Sequence, residues 1–168
     1  MDLAIYLAGM LEFFTVLLCL LLVFRIGRVG MSLMIACVVL VIKDIVDHML
    51  VAEYATHEVS TVAMAVTWYS MFAITNFFAA CAIYIFHRDA PIKQGLAAKL
   101  TVWYCLLSAL LQVARCGEKL YLNTENLAPL YTYGVPFLNY LLIPALFYGL
   151  YQAYKRSLDF EERIAWNI

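Results

Sequence analysis

Polar and charged side chains recur inside long apolar stretches of this chain, and their types could bind an ion, exchange a proton or hold a small polar ligand. Nine of them are candidate ligand-binding or ion-binding residues: Glu12, Lys43, Asp44, Asp47, His48, Asn76, Gln112, Arg115 and Asn139. A charge within hydrocarbon costs about 2.5 to 3.5 kcal/mol on insertion scales, so it persists only where it is paired, hydrated or used. These residues are therefore the first candidates for a functional site.

The composition explains why such residues are costly. The chain is 65% hydrophobic and only 14% charged, with a mean hydropathy of +0.85, whereas a soluble domain has about 25% charged residues. This predicts an all-α, polytopic membrane helix bundle in contact with a lipid bilayer, in a bacterial inner membrane or another cell membrane. The length of 168 residues leaves room for about five spans and excludes a separate soluble catalytic domain. A net charge of -1 excludes a nucleic-acid partner, because such binding needs a clustered basic surface.

Five apolar runs predict about five transmembrane helices within a single domain, residues 1–156, followed by a short cytoplasmic tail, residues 157–168. The runs extend over 3–24, 30–53, 60–86, 100–114 and 130–154. The tail mixes acidic and apolar residues, which favours an interfacial helix anchored by Trp166; a docking peptide for a cytoplasmic partner is the alternative.

Basic residues in the connections predict the orientation, because they favour the cytoplasmic side. Only Arg115 and Lys119 fall at the opposite side from the other basic loop residues, so we expect the N-terminus outside and the C-terminus inside. Positive charges follow the first apolar run instead of preceding it, so we expect this helix to be retained, not cleaved as a signal peptide.

The candidate residues fall at similar depths. A helical rise of ~1.5 Å per residue places six of them roughly 18 to 24 Å from the cytoplasmic ends of their helices, and Asp47 and His48 roughly 28 to 30 Å, near the outer headgroups. The six are Glu12, Lys43, Asn76, Gln112, Arg115 and Asn139. We therefore predict one polar layer, with a pocket that opens outward.

Charges of both signs in this layer predict an ion-pair network. Glu12 and Asp44 would offset Lys43 and Arg115, with Glu12 paired to Lys43 across two helices. Within the second helix, the i,i+4 spacing pairs Lys43 with Asp47 and Asp44 with His48. The structural alternative is that the charges snorkel to the interface and that the amides only join helices through hydrogen bonds.

Two further patterns concern helix shape and packing. Gly134, Pro136 and Pro144 predict a kinked or broken fifth helix beside Asn139, because each proline frees a backbone carbonyl one turn earlier. Small residues at 73, 79, 80 and 82 permit close packing of the third helix, either within the chain or in a homo-oligomer.

No cofactor and no metal is expected. The five cysteines include no Cys-x-x-Cys pair, which argues against a redox pair or a thiolate metal site. His48 and His87 are predicted at opposite faces of the membrane and His57 in an outer loop, an arrangement that does not suit haem ligation. Asp44, Asp47 and His48 could chelate a cation, but the carboxylates are expected to offset Lys43 and His48 instead.

Three classes of function remain open on this basis. The first is transport or sensing, with an ion, a proton or a small polar ligand bound in the outward-facing pocket. The second is a non-catalytic partner of another membrane protein, such as an immunity, exclusion or assembly subunit, whose polar layer is structural. A small membrane enzyme using Glu12, Asp44 or His48 as acid or base comes last, because the sequence has no nucleophile or cofactor motif.

Overall fold

A computed structural model describes residues 3–55, 62–122 and 124–165, and nearly all of these residues are helical. The five α-helices are α1 (Leu3–Ile26), α2 (Met31–Ala55), α3 (Val62–Asp89), α4 (Leu96–Gly117) and α5 (Ala128–Ala165). A 3-10 turn over Gly27–Gly30 joins α1 to α2, and a π-helical turn over Glu118–Leu122 extends α4. The all-α prediction is confirmed.

The chain reverses direction between α1 and α2 within a very short segment. Gly27 adopts a φ of 72°, a left-handed conformation that is costly for residues with a Cβ atom. Gly30 then lies so close to Val23 that a Cβ atom would collide with the valine side chain. As a result, Phe13 and His48 lie opposite each other, with ring centroids 6.0 Å apart.

Contacts between successive helices show that all five alternate in direction. Thr75 of α3 bonds Asp47 of α2, Ser70 of α3 contacts Cys116 of α4, and Tyr104 of α4 bonds Asn139 of α5. Given the order of the helices along the chain, the two residues of each contact can lie at the same height only if their helices are antiparallel. One end of the bundle therefore collects Arg25, Arg28, Arg88, Lys93, Lys155 and Arg156.

The described residues contain four helical segments that are long and apolar enough to cross a membrane, not the five predicted from the sequence. They are Gly9–Glu53, Val62–Asp89, Leu96–Leu122 and Ala128–Asp159. The count differs because α1, the 3-10 turn and α2 follow one another without a break and form one segment of 45 residues. By length and composition these segments make the chain a multi-pass helical membrane protein.

The surface of the bundle agrees with a lipid environment. Large apolar side chains are exposed along every helix, among them Phe24, Met49, Phe78, Leu110 and Phe137. Soluble monomers rarely expose contiguous apolar area beyond a few hundred Å². Lipid is the solvent that such a surface requires.

The apolar core fills the half of the bundle nearer the basic end. Val16, Cys19 and Val23 of α1 pack there with Leu40 of α2 and Leu146 of α5. The small residues of α3 belong partly to this core, since Ala79 and Ala80 are buried within the chain, as is Ala73 nearby, while Ala82 is half-buried. Ala73, Ala79 and Ala80 therefore pack within the chain, and a homo-oligomer stays a prediction.

Helix α5 runs unbroken through both of its internal prolines. The predicted break beside Asn139 is thus wrong, whereas a kink stays a prediction. The helix continues through residues 157–165, so the predicted cytoplasmic tail begins as a continuation of α5. Its predicted anchor, Trp166, lies outside the described residues, as does His57.

Candidate functional site: a polar cavity between the helices

A cavity of about 180 Å³ lies between the helices in the half of the bundle opposite the basic end. All five helices contribute to its wall. The lining side chains include Glu12, Lys43, Asp44, Asp47, His48, Trp68, Phe72, Asn76, Tyr104, Ser108, Gln112, Tyr131 and Asn139. The wall thus contains both polar groups and aromatic rings.

Eight of the nine residues singled out from the sequence line this cavity, and Arg115 is the exception. Most of the eight are well buried; Glu12, Asn76 and Gln112 are between 4% and 5% exposed. Residues from five helices thus meet at one height, as the depth argument expected. Whether they bind a ligand is a separate question, and it stays a prediction.

Lys43 pairs with carboxylates of its own helix. Its Nζ atom lies 3.1 Å from Asp44 Oδ1 and 3.0 Å from Asp47 Oδ2. The i,i+4 pair with Asp47 is therefore present. The expected direct pair between Lys43 and Glu12 is wrong, since the ion pairs of the described residues do not include it.

Glu12 instead belongs to a hydrogen-bonded group centred on Tyr104. The Tyr104 hydroxyl lies 2.6 Å from Glu12 Oε1 and 3.1 Å from Asn139 Oδ1, two alternative acceptors for its single proton. The group ties α1, α4 and α5 together at the cavity wall. Sequence reasoning missed Tyr104, although a signal was present: Tyr104, Ser108 and Gln112 follow an i,i+4 spacing and so share one face of α4.

His48 stands at the outer part of the cavity and bonds the backbone. Its Nδ1 atom is 2.8 Å from the carbonyl oxygen of Asp44, and because a carbonyl only accepts, Nδ1 carries the proton. The expected side-chain pair between Asp44 and His48 is therefore wrong. Within the described residues, no group of three side chains is placed to hold a metal ion.

Three buried oxygen atoms, on residues that line the cavity, have no hydrogen-bond partner among the described residues. They are Asp44 Oδ2, Asn76 Oδ1 and Gln112 Oε1. Leaving a buried polar atom unsatisfied costs about 1 to 3 kcal/mol, and more if it is charged. Each such atom therefore calls for an explanation, and water or a ligand in the cavity supplies one.

Arg115 makes different contacts from those predicted. It lies at the outer end of α4, where it forms ion pairs with Glu118 and Glu125. Glu118 in turn accepts hydrogen bonds from the Thr124 hydroxyl and the Leu127 amide, both at 2.9 Å. Arg115 thus organises the connection to α5, and its charge does not offset the carboxylates of the cavity.

Glu125 joins this outer cluster through Lys119 as well as Arg115. Hydrogen bonds from Lys119 and Arg115 hold the pKa of the Glu125 carboxyl below its usual range. The carboxylate is the charged partner of two cations, which favours its ionised form. The pairing of the cluster therefore depends on Glu125 staying ionised.

A second polar cluster joins α2, α3 and the start of α4 at the basic end. Ser32 Oγ lies 2.8 Å from His87 Nε2 and accepts the Gly95 amide at 2.9 Å. His87 Nδ1 donates to the Ile83 carbonyl at 2.7 Å, so the Ser32 hydroxyl donates to Nε2. His87 is buried within α3, whereas the third apolar run was predicted to end at residue 86.

Gly134 and the two internal prolines of α5 flank Asn139 along the helix. Gly134 packs against Leu111 of α4, and a Cβ atom there would lie 3.2 Å from the leucine Cδ1. Pro136 is buried and Pro144 exposed. Gly134 therefore permits close approach of α5 to α4 just before Asn139 enters the cavity wall.

The comparisons with known proteins add no relative to this arrangement. Protein-family models, curated proteins and solved structures gave no match to the chain. The cavity and its residues are therefore the basis of the proposed function.

Proposed function

We propose that this protein binds an ion, a proton or a small polar ligand in the polar cavity, and that it serves transport or sensing across its membrane. The observation that supports this most directly is the trio of buried oxygens without a donor, Asp44 Oδ2, Asn76 Oδ1 and Gln112 Oε1. They line the same cavity as the charged residues. Atoms of this kind are normally satisfied by protein or by bound molecules.

The cavity is large enough to hold bound molecules. A volume of about 180 Å³ far exceeds the roughly 10 to 15 Å³ that a single water molecule needs. Polar partners are also present, and a buried water needs about two to four of them. The cavity can accommodate several waters, or a small ligand with some of them.

The alternating helix directions support an outward-facing cavity. Since Phe13 and His48 lie side by side, we propose that α1 and α2 each cross the membrane, so that the segment Gly9–Glu53 crosses twice and the bundle five times. The basic end then faces the cytoplasm, by the tendency of Lys and Arg to stay inside. On this topology the cavity lies in the outer half of the bilayer, with the N-terminus outside and the C-terminus inside.

A second candidate is a non-catalytic partner of another membrane protein, with a purely structural polar layer. The contacts of Tyr104 with Glu12 and Asn139 favour it, because they join three helices without any ligand. Interhelical hydrogen bonds of this kind are common in membrane bundles. The two candidates differ in one property, namely whether water reaches the cavity.

Cysteine labelling measures that property. In a background without the five native cysteines, Ser108→Cys, Asp47→Cys and Asn139→Cys are treated from outside with a membrane-impermeant thiol reagent. Because only a thiolate reacts, and a thiolate forms only where water reaches, all three positions should label. Ile83→Cys, in the fully buried core, is the unreactive control.

Ser108→Cys is the most informative position, since the exchange changes the side chain least. If Asp47→Cys alone reacts, the inner part of the cavity is closed to water and the structural candidate is correct. If Ser108→Cys reacts at a rate comparable with Asp47→Cys, water reaches the inner part of the cavity, as the ligand-binding candidate requires.

A further inference from the structure

Acidic side chains outnumber basic ones among the described residues that line the cavity. Glu12, Asp44 and Asp47 supply three carboxyl groups, whereas Lys43 and His48 are the basic residues of the lining. Arg115, which the sequence suggested as a second cation, is paired with Glu118 and Glu125 outside the cavity. An unpaired carboxylate within a bilayer is costly, and either a proton on the carboxyl group or a bound cation removes that cost.

The unpartnered atoms in the wall are all acceptors. Asp44 Oδ2, Asn76 Oδ1 and Gln112 Oε1 can only accept hydrogen bonds. The amide orientation of Asn76 follows from its contact, because Nδ2 lies 2.8 Å from the Phe72 carbonyl oxygen and must be the donor. A ligand that satisfies these atoms must therefore bring donors.

The wall also contains several aromatic side chains. Trp68 and Phe72 lie with ring centroids 4.9 Å apart, and Tyr104 and Tyr131 also line the cavity. Aromatic faces attract organic cations, and the rings offer apolar contact to an alkyl group. A small anion would meet carboxylates instead, which disfavours it.

We infer that the cavity binds a small organic cation that carries a primary ammonium group. This inference rests on the proposed ligand-binding function and names its chemical class. A primary ammonium has one positive charge and N–H donors, which suits a lining rich in carboxyl groups and in residues with unpartnered acceptors. The alkyl part of such a ligand lies against the aromatic side chains.

The test is calorimetric titration of the purified full-length chain in lipid nanodiscs with four probes of similar size. Propylammonium should bind saturably, whereas 1-propanol and propionate should bind at least tenfold more weakly. Tetramethylammonium, which has the charge but no N–H donor, should also bind more weakly than propylammonium. Potassium chloride at matched ionic strength controls for an inorganic cation.

Each alternative outcome has a definite meaning. Equal binding of 1-propanol, or tighter binding of potassium or tetramethylammonium, would overturn the primary ammonium assignment. No binding of any probe would also overturn it, while labelling at Ser108→Cys would still support a hydrated site. A failure of the proposed function itself is recognised separately, by the absence of that labelling.

Two variants remove single acceptors without changing charge, namely Gln112→Met and Asn76→Leu. Each should weaken propylammonium binding about tenfold or more, since a hydrogen bond to a charged group is lost. The unfolding midpoint without ligand should change little, because the removed oxygens have no partner among the described residues, and the Phe72 carbonyl that loses Asn76 Nδ2 keeps its helical backbone hydrogen bond. A structural role for these amides predicts a clearly lower midpoint.

Thr101→Val is the matched control on α4. Thr101 is fully buried, donates to the Ala97 carbonyl and lies outside the cavity, so this variant should keep the affinity for propylammonium. Unchanged affinity in both Gln112→Met and Asn76→Leu would contradict the inference. The same contradiction follows if Thr101→Val weakens binding as much as they do.

Discussion

The hydroxyl of Tyr104 lies 2.6 Å from Oε1 of Glu12, a residue 92 positions earlier in the chain. The same hydroxyl lies 3.1 Å from Asn139 Oδ1, so it has two acceptors within reach across three helices. A phenol has one proton to donate, and the nearer acceptor is the carboxyl group. This contact connects α1 to α4 at the wall of the cavity.

Removal of the Tyr104 hydroxyl should therefore destabilise the bundle. Tyr104→Phe leaves the Glu12 carboxyl without its donor, and we expect a loss of about 1.5 to 3 kcal/mol in the free energy of unfolding. Tyr84→Phe removes a hydroxyl from a side chain that is 58% exposed and should stay within about 0.5 kcal/mol of the parent protein. Unfolding in mixed micelles compares the two; equal effects would mean that the Tyr104 contact is energetically unimportant.

The ion pairs of Lys43 predict which double variants are coupled. Lys43 Nζ is 3.0 Å from Asp47 Oδ2. The double variant Lys43→Met with Asp47→Asn should therefore lose less free energy of unfolding than the sum of the two single variants. We expect a coupling energy of about 0.5 to 3 kcal/mol for this pair. For the double variant Lys43→Met with Glu12→Gln, the losses in the free energy of unfolding should be more nearly additive. Stronger coupling to Glu12 than to Asp47 would contradict the observed pairing.

The outer cluster predicts a pH dependence through Glu125. Its pKa is lowered by hydrogen bonds from Lys119 and Arg115, so the folded state binds this proton less readily than the unfolded state. The resulting stabilisation is present above the unfolded pKa and is lost as pH falls through the lower, folded pKa. The difference in unfolding midpoint between the parent protein and Glu125→Gln should therefore shrink between neutral and strongly acidic pH. A constant difference would exclude this origin.

The proposed topology predicts the labelling of single cysteines at exposed ends. Asn126→Cys should react with an impermeant reagent in intact cells, whereas Arg28→Cys and Lys155→Cys should react only after the membrane is permeabilised. Arg28 is decisive because it lies in the turn between α1 and α2. Reaction of Arg28→Cys from outside, with Lys155→Cys protected, would show that α1 does not cross the membrane as proposed.

Local sequence properties determined the class of the protein and the height of its polar residues. Apolar runs of membrane length predict helices, and a constant helical rise converts residue spacing into depth. This is why eight of the nine candidate residues reach one cavity in the structure. The same reasoning found neither Tyr104 nor the role of His87, because aromatic and histidine side chains near apolar runs have several ordinary explanations.

The choice of partners was decided only by the tertiary structure. Depth says nothing about the direction in which a side chain points around its helix, and each residue turns that direction by about 100°. Lys43 therefore meets Asp44 and Asp47 and not Glu12, and Arg115 turns toward Glu118 and Glu125. From the sequence the charges of the layer were predicted to cancel, whereas in the folded chain Arg115 lies outside the cavity and acidic side chains outnumber basic ones in the described lining.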